Sequence, residues 1–142
     1  MREIVTRMTL GATGATLSVI GCALLLIPKT FLEKSHVVFE RNASLMSELA
    51  APSGVLIIAG GLMMLGSVKP RFIDIGLVVG AIIYGSYGVG RIISMLMHGL
   101  PSSSLVSATL FELVIAGMLI ALRIAQAPAS TSTVMQIKET RS

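Results

Sequence analysis

Between Met8 and Ile27 the chain runs for twenty consecutive residues without a charge. As α-helix, about twenty apolar residues cross the ~30 Å hydrocarbon core of a bilayer. Three further stretches have the same character, so the expected spans are about 8–27, 44–68, 72–97 and 104–123. Each is bounded by helix punctuation. Pro28 closes the first, and Asn42 is a good N-cap for the second, which ends before "VKPR". "HGLP" stops the third, and "SSS" opens the fourth. The short connections after the second and third spans imply antiparallel neighbours. The fold class predicted is therefore all-α, an integral membrane four-helix bundle of up-down topology, over residues 1–127. A polar, flexible cytoplasmic tail is expected over 128–142, where "STSTVMQIKETRS" has little to bury.

Composition supports the membrane as solvent. Hydrophobic residues make up 54% and charged ones 13%, where soluble domains carry roughly 25% charge. The first span imitates a signal peptide, and "VIGC" resembles a lipoprotein cleavage box. Its apolar run continues past Cys22, longer than the roughly 7–15 residues of a signal core, so a retained helix is expected. The net charge of +4 does not point to nucleic acid, because the basic residues sit at span ends with no interleaved aromatics. One cysteine excludes both an internal disulfide and Cys-x-x-Cys dithiol chemistry.

Counting Lys and Arg gives the direction. Arg2, Arg7, Lys69, Arg71, Arg123, Lys138 and Arg141 fall on one side, against Lys29, Lys34 and Arg41 on the other. The positive-inside bias puts both termini in the cytoplasm. The 28–42 connection mixes Phe31, Leu32, Val37, Val38 and Phe39 with charges, as an interfacial segment or an ordinary amphiphilic loop would.

Small residues recur where helices must approach closely. Gly14, Ser18 and Cys22 share one face of the first span, Gly60 and Gly61 lie in the second, and the third has Gly76/Gly80, Ala81/Gly85 and Ser86/Gly90. In lipid such faces, with interhelical hydrogen bonds, hold bundles together. Cys22 is expected to pack as one of these small residues. The nine methionines read as adaptable filler.

Arg91 and Glu112 lie well inside spans and Glu48 near the end of one. A mid-membrane charge costs at least about 2.5–3.5 kcal/mol and normally faces a partner or a cavity. With Pro101 as the apex of the turn, Arg91 is ten residues before it and Glu112 eleven after. Both stand about 15–17 Å from the apex, hence level. Glu48 belongs to the same half, and Pro52 four residues on would kink its helix. Arginine's five donors can serve two carboxylates, so a buried Glu48–Arg91–Glu112 cluster is expected. Tyr84, Tyr87, Arg91, Ser94 and His98 are spaced 3, 4, 3, 4 and form one helical stripe, and Thr109 stands three residues before Glu112.

Three roles stay open for this cluster: locking the bundle's register, binding a lipid head group, small ligand or partner helix, and proton-coupled transport or intramembrane catalysis. Carboxyl groups with Tyr84 or Tyr87 would be the acid/base pair of an isomerase-like enzyme. No HExxH, phosphate loop or Ser/His/Asp arrangement occurs. His36 and His98 do not make a convincing haem or metal pair, so no cofactor and no metal are expected.

The stretches "SELAAPSGVLIIAGGL" (Ser47–Leu62), "GVGRIISMLMHGLPS" (Gly88–Ser102) and "FELVIAG" (Phe111–Gly117) resemble a domain-of-unknown-function family of small bacterial four-helix inner-membrane proteins. The resemblance covers about residues 8–123. That family's pattern is a Glu before a Gly-containing second span, a Gly-Arg ahead of a Gly/Pro turn, and a Glu in the last span. It falls on Glu48, Gly90–Arg91, Gly99/Pro101 and Glu112. The resemblance implies the fold and stresses the same three charges, and it brings no activity. The function expected is a non-enzymatic accessory or scaffold subunit. Its partners would be the lipid bilayer and a partner membrane protein or a second copy of the chain.

Overall fold

Proline decides where the first long helix stops. The computed structural model describes residues 2–34 and 43–126. Helix α1 runs Arg2–Leu26, and Ile27, held by the following Pro28 away from helical geometry, has φ −132° and ψ 49°. Pro28 then serves as the first residue of a short helix, α2 (Pro28–Glu33), where its missing N–H costs nothing. Three long helices follow: α3 (Ala43–Val68), α4 (Ile73–His98) and α5 (Ser103–Gln126), with a 3-10 turn at Pro70–Phe72. Among the described residues there is no strand. Four of the helices are long and apolar enough to cross a membrane.

The main departure from the expected boundaries is at the start, where α1 begins at Arg2 rather than near Met8. Its charged first turns are held by a specific contact. The Arg7 Nε donates to the Ser67 carbonyl at 2.7 Å and Nη2 to the Val68 carbonyl at 2.6 Å. These carbonyls belong to the end of α3, whose last turn holds no basic residue of its own. Arg7 therefore caps a helix sixty residues away, where a cation also suits the helix dipole. At the other end of α4, Gly99 takes φ +88° and returns its N–H to the Met95 carbonyl at 3.0 Å. A left-handed residue after a helix is the role that glycine fills without strain. Pro52 lies inside α3, which continues through it.

The helices pack through bare backbone. A Cβ on Gly14 would come within 2.8 Å of the Gly60 carbonyl, and one on Gly21 within 2.9 Å of the Ser53 carbonyl. A Cβ on Gly60 would run into Ser18 and the Gly14 carbonyl. The α1–α3 seam is thus Gly14, Ser18 and Gly21 against Ser53, Ile57 and Gly60. Cys22, expected in this seam, is instead exposed. Gly21 takes the place, because four residues make slightly more than one turn and the seam drifts by one position after two turns. In α4, Met63 fills the space over Gly76 and Gly80, and Leu113 lies over Gly88. Ser86 and Gly90, read as packing residues, are exposed.

Leu10, Met63, Leu77 and Leu119 are fully buried, one from each long helix. Buried hydroxyls are satisfied within their own helices: Thr13 donates to Thr9, Ser53 to Leu49 and Thr109 to Leu105, each to a carbonyl one turn back. Burial is uneven along the bundle. No residue of 43–52 or 89–98 is buried, so the half nearer Pro101 is the more open one.

Gly60 and its neighbour Gly61 provide a paired test. Gly60→Ala should destabilise the fold by about 1–3 kcal/mol through overpacking. Gly61→Ala, with nothing within 4 Å of the new methyl, should be neutral or slightly stabilising. Thermal or denaturant unfolding of the two variants in detergent checks this, and equal effects would refute the seam.

Candidate functional site

The site is built where α4 and α5 approach one turn from Gly88. A Cβ there would lie 2.7 Å from Leu113 Cδ2. This close approach brings the two charges together. Arg91 Nε donates to both carboxylate oxygens of Glu112, at 3.2 and 3.1 Å. The Glu112 side chain is 14% exposed and that of Arg91 33%. The pair is therefore directional: the carboxylate sits in and the guanidinium leans out. Only Nε is engaged. Nη1 and Nη2, which carry four of the five donors of the fork, make no hydrogen bond to another described residue.

On the inner side, Glu112 borders a cavity of about 80 Å³ that all four long helices line, with Leu17, Leu56, Tyr84, Tyr87 and Phe111 among its walls. Tyr84 closes one side, 2% exposed, its hydroxyl donating to the Thr13 carbonyl at 2.8 Å. On the outer side, Ser86, Tyr87, Gly90, Arg91 and Ser94 line an open groove of about 360 Å³. It shares Arg91 and Ser94 with a second groove, of about 270 Å³, that runs past Met95 and His98 to Pro101 and Leu105.

The structure thus brings Arg91, Glu112, Tyr84 and Tyr87 into one neighbourhood, with Thr109 buried beside Glu112 but bonded to Leu105 in its own helix. It does not bury the rest of the expected cluster. Glu48 is exposed and forms no ion pair with Arg91. Its depth was legible, but the first turns of α3 contribute no buried residue before Ser53, so nothing presses Glu48 inward. Ser94 and His98 are exposed too. The His98 Nδ1 is 3.2 Å from the Ser94 carbonyl, so the imidazole is satisfied without leaving its own helix. His36 lies outside the described residues. Among the described residues no three His, Cys, Asp or Glu side chains gather as a metal site would require.

A second polar layer, at the opposite end, was not anticipated beyond its charge count. Arg123 Nε donates to Asp74 Oδ1 at 2.9 Å, tying the end of α5 to the start of α4. Gln126 Nε2 donates to Thr6 Oγ1 at 2.7 Å, tying α5 to α1. Asp74 lies 27 residues before Pro101 and Arg123 lies 22 after it, about 7.5 Å off level, so the count from the turn that located Arg91 opposite Glu112 does not point to this pair.

With this geometry in view, comparison with known families decides the relationship. A family model, the domain of unknown function DUF4345, matches residues 5–123. The chain belongs to that family. The match takes in all four long helices and both interhelical ion pairs, from the first turn of α1 to Arg123. No curated protein and no solved structure matches the sequence.

Removing one partner of the inner pair should be costly and removing both less so. Arg91→Leu is expected to cut the yield of folded protein sharply, since it strands a mostly buried carboxylate, a loss of up to about 3–5 kcal/mol. Adding Glu112→Gln should restore part of it, whereas Glu48→Gln should leave yield and melting temperature unchanged. Size-exclusion yield and thermal melting in detergent measure all three. Full tolerance of Arg91→Leu would refute the pair's structural role.

Proposed function

We propose that this DUF4345 chain is a multi-pass protein of a bacterial inner membrane, with four antiparallel transmembrane helices and both termini in the cytoplasm. We further propose that it works without catalysis, as an accessory or scaffold subunit that holds a partner helix or lipid on the α4 face around Arg91. Four long apolar helices support the membrane reading. The registers Gly14–Gly60 with Gly21–Ser53, and Arg91–Glu112 with Asp74–Arg123, support antiparallel neighbours, because one number rises as its partner falls. The excess of Lys and Arg beside the α3–α4 turn supports the orientation.

One observation favours binding over chemistry: the Arg91–Glu112 site opens outward. The space on the Glu112 side is about 80 Å³, below the roughly 300–1,000 Å³ of small-molecule sites, and the larger space, about 360 Å³, lies open on the Arg91 side. Beside it, Arg91 presents free donors to an open groove floored by Gly90 and flanked by Ser86 and Ser94. Small residues let a neighbouring backbone come close, and in hydrocarbon an arginine with spare donors gains by meeting an acceptor.

A photo-crosslinking residue at Gly90, in native membranes, tests the reading, with Gly61 as the control. Both positions have open space for a side chain. The expected result is a discrete protein or lipid adduct at Gly90, at least several-fold above the control and lost in Arg91→Leu/Glu112→Gln. Equal labelling at the two positions would overturn the proposal.

A further inference from the structure

We infer that the groove between α4 and α5 at the Arg123 end binds an acidic phospholipid, its head group on Arg123 and an acyl chain between the helices. This site lies at the opposite end of the hairpin from Arg91. It rests on the membrane reading above but not on the accessory role. The groove measures about 680 Å³, within the range of ligand sites. Its walls are apolar along most of their length, with Val78, Ala81 and Ile82 on α4 facing Ile120 and Ile124 on α5. Polar groups occur only at one end, where Asp74, Arg123 and Gln126 stand. From Asp74 to Ile82 is eight residues, about 12 Å of helix, enough for the upper part of one acyl chain. An amphiphile with its charge at the helix ends matches this division.

The charge at that end selects the sign of the head group. Arg2, Arg7, Lys69, Arg71 and Arg123 gather there against Glu3 and Asp74, five cations to two carboxylates among the described residues. Arg7 is spent on α3 carbonyls and Glu3. Arg123 is not spent: its side chain is 54% exposed, Nε alone meets Asp74, and Nη1 and Nη2 have no hydrogen bond to another described residue. Asp74 thus holds the guanidinium at the groove mouth and leaves two nitrogens for a phosphate. Basic pockets between helices on the cytoplasmic side are where acidic head groups are held. A neutral lipid would fill the apolar slot yet leave the charge excess of this end unanswered.

Native mass spectrometry of the full chain tests the site, with protein released from mixed micelles holding phosphatidylglycerol and phosphatidylcholine of equal chain length. Retention of phosphatidylglycerol over phosphatidylcholine is expected. Arg123→Gln should lower that preference about fivefold, the scale of one basic residue at a membrane surface. Arg71→Gln, also exposed at this end but outside the groove, removes the same unit of charge without a groove contact and should lower it clearly less. Ala81→Phe, which fills the slot without touching a charge, should reduce retention of both lipids and stands in if Arg123→Gln fails to fold. Unchanged preference in Arg123→Gln, or an equal loss in Arg71→Gln, would overturn the site. Protein that needs no detergent to leave the membrane fraction would overturn the membrane reading along with it, whereas detergent-extracted protein lacking the preference overturns the site alone.

Discussion

The backbone contact between α1 and α3 at Gly14 and Gly60 sets the geometry on which the rest of the molecule depends. Two apolar helices gain little from burying side chains if their surroundings are equally apolar, so contact must come from atoms that can approach closely. Without side chains at Gly14, Gly21 and Gly60, the two backbones come within reach of each other's carbonyls. This close seam brings Arg7 over the end of α3. It also places Leu10 and Met63 where they fill the space above Gly76 and Gly80 of α4. A larger residue at Gly60 would move α1, and with it the Thr13 carbonyl that accepts the Tyr84 hydroxyl.

Charges are arranged by the same economy. In each of two layers between α4 and α5 one arginine meets one carboxylate through Nε and keeps its outer nitrogens free: Arg91 on Glu112 and Arg123 on Asp74. Their surroundings differ. Glu112 is mostly covered and Asp74 is 69% exposed, so loss of Arg91 strands a buried charge while loss of Arg123 does not. An exposed pair of the second kind adds little stability by itself. Its value lies in holding the guanidinium at a defined place beside the groove.

The long helices and their ends were legible because apolar length and the breakers Pro28, Gly99 and Pro101 are local signals. The Arg91–Glu112 pairing was legible too, since a tight turn fixes the level of residues on either side of it. Glu48 shows where that reasoning stops. Depth says which residues share a layer but not how far apart neighbouring helices stand within it. The rotation of α3 and its lack of buried residues before Ser53 leave Glu48 exposed. The polar stripe of α4 failed for a related reason: Tyr84 is enclosed by the core while Ser94 and His98, on the same stripe, lie beyond it.

By itself, then, the order of residues determined four long apolar helices, their boundaries to within a few residues except at the start of α1, and the level of the charges near the α4–α5 turn. These depend on hydropathy, helical rise and turn chemistry, all of which act over neighbouring residues. Tertiary structure alone decided that Arg7 caps α3 and that Arg91 faces outward while Glu112 faces in. Each of those outcomes turns on the distance and rotation between two helices, which no single segment of the chain encodes.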